Sequence, residues 1–112
     1  MNKADKASVI ERLFSSIMGR KGGDEANSYT AKLFASGRNK IAAKVAEEAG
    51  ETVIASISET GDRLASESAD LLYHLMVLWA DAGITPADVF AELERREGTS
   101  GITEKASRKP SS

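Results

Sequence analysis

Apolar residues recur along this chain at intervals of three and four, the spacing that places them on one face of an α-helix. Alternating apolar and polar runs, which are typical of strands, are missing from the sequence. Most of the glycines fall between the periodic segments. The pattern predicts an all-α protein, a helical bundle of about five helices with a central antiparallel pair.

Capping residues indicate where the helices begin and end. Glycines at 19–23 end the first helix, Gly37 ends the second, and Thr85 followed by Pro86 begins the last. The helices are predicted at about 8–18, from Asn27 or Ser28 to Gly37, at about 38–58, at about 62–81 and from Thr85 to about Arg96. Because the fourth helix is apolar over most of its circumference, we expect a second copy of the chain to complete the bundle as a homodimer.

The 112 residues, of which 41% are apolar, suffice for one domain, which is expected to cover residues 1–97. From Gly98 onward the only apolar residue besides alanine is Ile102. So polar a segment does not bury enough apolar surface to offset its ordering entropy. A disordered C-terminal tail is therefore predicted over 98–112.

Composition excludes several function classes. The chain has no cysteine, so it forms neither disulfides nor thiolate metal sites. A net charge of -2 and 5% aromatic residues argue against binding to nucleic acid. No apolar run is long enough to cross a membrane, and the first residues do not resemble a signal peptide. We expect a soluble protein of the cytoplasm.

Acidic residues are paired on the two long predicted helices. Glu47, Glu48 and Glu51 lie on the third helix, and Glu67 and Asp70 lie on the fourth. Residues three or four apart share a helix face, so an antiparallel hairpin would bring both groups together around one hard divalent cation or a close pair. The alternative is that they are ordinary solvated acids, which are common on helices.

Several basic residues precede the acids and would suit the phosphates of a ligand bound through a metal. The candidates are Arg20, Lys21, Lys32, Arg38, Lys40 and Lys44. For Lys44 the alternative is an ion pair within its own helix, one turn before Glu47 and Glu48. His74 lies one turn after Asp70 and is a candidate metal ligand or proton carrier, or merely a partner of that acid. With one histidine and no phosphate-binding glycine motif, nucleophilic catalysis by the protein is not expected.

These residues resemble the phosphoribosyl-ATP pyrophosphatases of histidine biosynthesis, within the all-α nucleoside triphosphate pyrophosphatase superfamily. The superfamily signature, Glu-x-x-Glu followed by Glu-x-x-Asp, is met by Glu48, Glu51, Glu67 and Asp70. The resemblance covers about Val9 to Arg96. The segments that narrow it to this family are Ser28-Tyr29-Thr30, the run from Lys40 to Glu48 and Leu71-Leu72-Tyr73-His74-Leu75.

The resemblance implies Mg²⁺-dependent hydrolysis of phosphoribosyl-ATP to phosphoribosyl-AMP and pyrophosphate in a homodimer. It implies that Glu48, Glu51, Glu67 and Asp70 bind the metal. Glu47 or Glu51 would then take a proton from the attacking water. The basic residues named above would bind substrate phosphates, with Tyr29 and His74 as auxiliary residues.

Two other functions stay open at this point. A housekeeping pyrophosphatase for other (deoxy)nucleoside triphosphates would use the same acids on a different base. A helical metal-binding or interaction module would bind cations without turnover. Release of pyrophosphate from a triphosphate would exclude the module, and a comparison of substrates would separate the two enzymes.

Overall fold

The computed structural model describes residues 6–58 and 60–108. A 3₁₀ turn, Lys6–Ser8, leads into the helices α1 Val9–Met18, α2 Tyr29–Ser36, α3 Arg38–Ser58, α4 Gly61–Ala82, α5 Pro86–Arg96 and α6 Gly101–Ser107. Since the described residues include no strand, the all-α prediction is confirmed. None of the helices described is long and apolar enough to span a membrane.

The helix limits follow from local chemistry. The Ser28 hydroxyl accepts a hydrogen bond from the Ala31 N–H and begins α2. Thr85 and Asp88 exchange the two hydrogen bonds of a capping box at the start of α5. Gly83 ends α4 with φ at 78°, in the left-handed region that favours glycine.

Helices α3 and α4 form an antiparallel hairpin, and polar contacts at two levels fix its register. Arg38, at the start of α3, pairs with the carboxylate and backbone carbonyl of Asp81 near the end of α4. Further along, the Thr52 hydroxyl lies 2.8 Å from the Glu48 carbonyl oxygen and 3.2 Å from the Glu67 carbonyl oxygen. The first level therefore pairs the start of α3 with the end of α4, and the second pairs a later residue of α3 with an earlier residue of α4, as an antiparallel arrangement requires.

The apolar core occupies one end of this hairpin, where α1 and α2 pack against it. Its buried members are Ile17, Leu33, Phe34, Ile41, Met76, Val77 and Ala80. Toward the tip of the hairpin the core thins: after Glu48, the only fully buried residue of α3 is Ala55. The stability of the hairpin tip therefore depends less on apolar packing within the chain than on other contacts.

Helix α6 lies in the segment for which the sequence predicts disorder, so the structure differs from that expectation over 101–107. Its contacts are ionic. The buried Glu104 carboxylate accepts hydrogen bonds from Arg95 of α5 and from Arg108, whereas Ile102 is 86% exposed. The hydrogen bond from Arg95 holds the pKa of Glu104 below its usual range. Apolar patterning did not reveal this helix because ion pairs, not apolar contacts, hold it; residues 109–112 of the predicted tail lie outside the described residues.

Glu104→Gln should release α6 from α5, because the neutral amide loses its attraction to Arg95 and Arg108. We expect faster amide hydrogen exchange over 101–107 and unchanged exchange in the core. Acidification should act in the same direction: since the folded pKa of Glu104 is lowered, its stabilising effect is present at neutral pH and is lost as the pH falls below the ordinary glutamate value of about 4.3. Glu97→Gln, at an exposed position, is the control; equal exchange in both variants would contradict this account.

Candidate active site

Five carboxylates from α3 and α4 meet at one level of the hairpin. Oxygens of Glu48, Glu67 and Asp70 lie within 4.8 Å of one another, and so do oxygens of Glu47, Glu48 and Glu51. Glu48 belongs to both groups and therefore joins them into one acidic cluster. The register of the hairpin brings together the acids that the sequence placed on separate helices.

Burial distinguishes two members of this cluster from solvated surface acids. Glu48 and Glu67 are 7% and 6% exposed, while Glu47, Glu51 and Asp70 face solvent. Arg63 pairs with one oxygen of Glu67, but its other oxygen, Oε1, is buried without a hydrogen-bond partner among the described residues. A buried carboxylate oxygen left without a partner is costly. Oxygen ligands of this kind fit a hard divalent cation, which would supply that partner.

Two supporting residues were not identified from the sequence. Thr52 joins the two helices beside Glu48 and Glu67, and Arg63 neutralises part of the charge of Glu67. The sequence spacing could have identified both residues, because Thr52 lies four residues after Glu48 and Arg63 lies four residues before Glu67. That spacing indicates a contact on each helix, but it does not indicate that Thr52 also reaches the other helix.

Lys44 forms the ion pair within α3 that was the alternative to phosphate binding. Its Nζ lies 3.0 Å from Glu47 and 3.9 Å from Glu48, and the hydrogen bond with Glu47 raises the pKa of Lys44. Glu47 is therefore already partnered by a cation. Glu51, in contrast, has no ion pair among residues 6–58 and 60–108. The two acids between which the sequence could not choose thus differ in their surroundings.

His74 contacts α2 instead of the carboxylate of Asp70. Its Nδ1 lies 2.7 Å from the Asp70 carbonyl oxygen, which only accepts, so Nδ1 carries the proton. In the tautomer with its proton on Nδ1, Nε2 accepts from the Tyr29 hydroxyl, 2.8 Å away. Desolvation raises the pKa of the Tyr29 phenol. Both ring nitrogens are engaged, so His74 positions Tyr29 and has no nitrogen free for a metal.

A second hydrogen bond beside this one ties α2 to α4. The hydroxyls of Thr30 and Tyr73 are hydrogen-bonded to each other. The Ser-Tyr-Thr and Tyr-His segments, which the sequence singled out separately, therefore contact one another. We call these two pairs, Tyr29 with His74 and Thr30 with Tyr73, the α2 clasp.

The candidate phosphate-binding residues separate into distinct locations. Lys32, Lys40 and Lys44 line one cavity of about 200 Å³ between α2 and α3, together with Tyr29, Leu33 and Ser36. Lys21 lines a different cavity, where its Nζ lies 5.7 Å from the centre of the Phe34 ring. Arg38 is engaged by Asp81, and Arg20 lines neither cavity. Three of the six candidates therefore share one cavity, which we call the lysine cavity, and one of the three, Lys44, also contacts the acidic cluster.

The fold and site define an all-α protein with a carboxylate cluster on an antiparallel helical hairpin. Comparison with known proteins identifies its family. The family model for phosphoribosyl-ATP pyrophosphohydrolase matches residues 10–97. Proteins named phosphoribosyl-ATP pyrophosphatase from Paramagnetospirillum magneticum and Azospirillum brasilense are 61% and 60% identical, over 94% and 92% of this chain and 96% and 93% of their own. The chain belongs to the phosphoribosyl-ATP pyrophosphohydrolase family.

If the acidic cluster binds a divalent cation, Glu48→Gln should abolish the stabilisation that added Mg²⁺, used here as the probe, gives the protein. Wild type, freed of metal and then supplied with Mg²⁺ at a hundred times its Kd, should gain about 2.7 kcal/mol of unfolding free energy. The variant should show little gain, yet melt at least as high as wild type without metal because one repulsive charge is gone. Thermal melting with EDTA and with MgCl₂ measures both effects.

Glu94→Gln is the matched control, since Glu94 is an exposed glutamate of α5 outside the acidic cluster. This variant should respond to Mg²⁺ as wild type does. A normal Mg²⁺ response in Glu48→Gln would remove Glu48 from the candidate metal site.

Proposed function

We propose that this chain is the enzyme that hydrolyses phosphoribosyl-ATP to phosphoribosyl-AMP and pyrophosphate, in the second step of histidine biosynthesis. The observation that carries the proposal is the half-buried cluster of five carboxylates beside the lysine cavity, in a chain of the phosphoribosyl-ATP pyrophosphohydrolase family. A triphosphate needs both a cation among the acids and positive charge nearby. We propose the cytoplasm as the location of this biosynthetic enzyme.

Glu48, Glu67 and Asp70 are the residues that would hold Mg²⁺, because their oxygens converge and Glu67 Oε1 has no other partner among the described residues. When bound, the cation would offset the negative charge of the phosphates and acidify a coordinated water. Glu51 is the fourth acid of the family signature. Glu51 belongs to the second group of acids, with Glu47 and Glu48, and not to the three that would hold the cation. It is therefore available for a role other than metal binding.

That second role is general base catalysis. Glu51 has no ion pair among the described residues, whereas Glu47 is held by Lys44, so Glu51 is the better acceptor of a proton. The water oxygen forms a bond to phosphorus as its proton passes to the Glu51 carboxylate. The bridging P–O bond breaks, and the leaving phosphate group keeps that electron pair.

Lys44 lies where it can contact both the acids and the substrate, because it lines the lysine cavity and approaches Glu47 and Glu48. Lys32 and Lys40 add positive charge to the same cavity. Arg20 and Lys21 lie on the turn after α1, outside the lysine cavity. They would bind substrate phosphate only through contacts that the described residues do not show. Arg38 is better explained by its pair with Asp81, which fixes the hairpin register.

The two roles proposed for the acids are separable by mutation. Glu51→Gln should lower kcat on phosphoribosyl-ATP roughly 100- to 10,000-fold, the usual effect of a lost general base, while the Mg²⁺-induced rise in Tm persists. Asp70→Asn should lose both activity and the Mg²⁺ response. Pyrophosphate release and thermal melting measure the two effects in each variant.

Wild type should hydrolyse phosphoribosyl-ATP more efficiently than ATP or deoxynucleoside triphosphates at saturating Mg²⁺. Equal efficiency on these substrates would contradict the proposed substrate and favour the housekeeping enzyme. Mg²⁺ binding without pyrophosphate release from any of them would favour the non-catalytic module.

We also propose that the enzyme is a homodimer. Val53, Ile54 and Ile57 lie on α3 toward the hairpin tip and are 57%, 58% and 81% exposed. Residues three and four apart share one helix face, so they form an exposed apolar stripe. Nothing else in the described chain covers that stripe, and it begins two residues after Glu51. A second copy placed there would exclude water from the stripe and border the acidic cluster.

Ile57→Asp should convert a dimer into a monomer, because it would bury a charge in an apolar interface. Ile102→Asp is the matched control, since Ile102 is comparably exposed but lies on α6. Sedimentation at micromolar concentration measures the mass of each variant. A monomeric wild type, with and without substrate, would make the dimer proposal wrong; a dimeric Ile57→Asp would exclude this stripe as the interface.

A further inference from the structure

Two of the three lysines in the lysine cavity have no acidic partner within the described part of the chain. Lys32 of α2 and Lys40 of α3 both line the cavity, and neither forms an ion pair among residues 6–58 and 60–108. The cavity lining includes no acidic residue. Side chains of like charge converging on one concave surface repel each other unless an anion lies between them.

The lysine cavity and the acidic cluster share one side chain. Lys44 lines it and lies 3.0 Å from Glu47, so one side chain borders both. Lys40 precedes Glu48 by eight residues of α3, a distance along the helix of about 12 Å at 1.5 Å per residue. Lys40 therefore provides a second cationic point of the lysine cavity, about two helical turns from Glu48 along α3.

The α2 clasp fixes the wall of this cavity. Tyr29 lines the cavity and is held by His74 of α4, while the neighbouring Thr30 is held by Tyr73. Lys32 follows within one turn of the same helix. Because both clasp partners belong to α4, which also carries Glu67 and Asp70, the position of Lys32 is tied to that of the acids.

The chemistry of the proposed substrate indicates which anion fits there. Its triphosphate must lie at the acidic cluster. Single bridging oxygens join the three phosphates of that chain, so the β- and γ-phosphates also stay close to the bond that is cleaved. The remaining phosphate belongs to the phosphoribosyl group. It is separated from the triphosphate by a ribose, the adenine ring and a second ribose. That phosphate is the group that an anion site remote from the acids would meet.

We infer that Lys32 and Lys40 bind the phosphate of the phosphoribosyl group, and that this contact distinguishes phosphoribosyl-ATP from ATP. The inference rests on the proposed function. It assigns specificity to the α2–α3 cavity and not to the turn after α1, where Lys21 faces a different cavity. The α2 clasp is then a positioning device for this specificity site.

Lys32→Met and Lys40→Met test the assignment, since methionine keeps much of the chain length and removes the charge. Each should lower kcat/KM for phosphoribosyl-ATP roughly tenfold to hundredfold, as expected for a lost charge-assisted hydrogen bond. The loss with ATP should be several-fold smaller. Lys105→Met, at an exposed position on α6, is the matched control and should behave as wild type.

Binding without turnover provides a second readout. In EDTA, calorimetry should show that wild type binds phosphoribosyl-AMP more tightly than AMP, and that each variant loses most of this preference. Normal circular dichroism and a normal Mg²⁺-induced rise in Tm identify variants that have folded. Both lysines are exposed, so folded variants are expected.

Three results would overturn the inference. Equal losses on both substrates would mean that these lysines bind the triphosphate, and unchanged kinetics would mean that they bind neither phosphate. Loss of discrimination in Lys21→Met, with Lys32→Met and Lys40→Met normal, would move the site to the turn after α1. In all three cases wild type still hydrolyses phosphoribosyl-ATP, whereas a wild type that does not would instead contradict the proposed function.

Discussion

Like-charged carboxylates repel, and the hairpin of α3 and α4 nevertheless holds five of them at one level. Its register decides which acids meet, and contacts away from the carboxylates set that register. Arg38 and Asp81 fix one end, and Thr52 joins the helices at the level of the acids. The core packs against the same end as the Arg38 pair. The rest of the chain therefore supplies the free energy that keeps the acids together until a cation offsets their repulsion.

Helical patterning predicts much of this arrangement. The limits of α3 and the caps of α2 and α5 depend on residues that are close together in the chain, so they can be predicted from the sequence. The spacing of Glu67 and Asp70 predicts a shared face for the same reason. Burial of Glu48 and Glu67 depends on two helices meeting in one register, and no residue spacing specifies that depth. The apolar pattern does not reveal helix α6, because arginines eight and nine residues earlier, on α5, hold Glu104 in place of an apolar stripe.

The α2 clasp shows another limit of reasoning along the chain. Tyr29 lies 45 residues from His74, and nothing in either local sequence indicates the other as its partner. His74 was therefore a reasonable metal candidate until the structure showed both ring nitrogens engaged. Six basic residues were equally suitable for phosphates for the same reason. Their separation exists only in three dimensions: three line the lysine cavity, Lys21 lines the cavity beside Phe34, Arg38 pairs with Asp81, and Arg20 lines neither cavity.

The sparse apolar packing at the hairpin tip also affects the resistance of the protein to proteolysis. Past Glu48 the only fully buried residue of α3 is Ala55, so opening the tip exposes little apolar surface and needs less free energy than unfolding the core. Acid repulsion favours that opening, whereas a bound cation opposes it. Proteases cleave segments that open locally, so they should cut the hairpin tip more readily in the metal-free chain than in a chain with a bound cation. Occupancy of the acidic cluster by a cation would then decide how long the hairpin tip resists proteolysis, even when the core is intact.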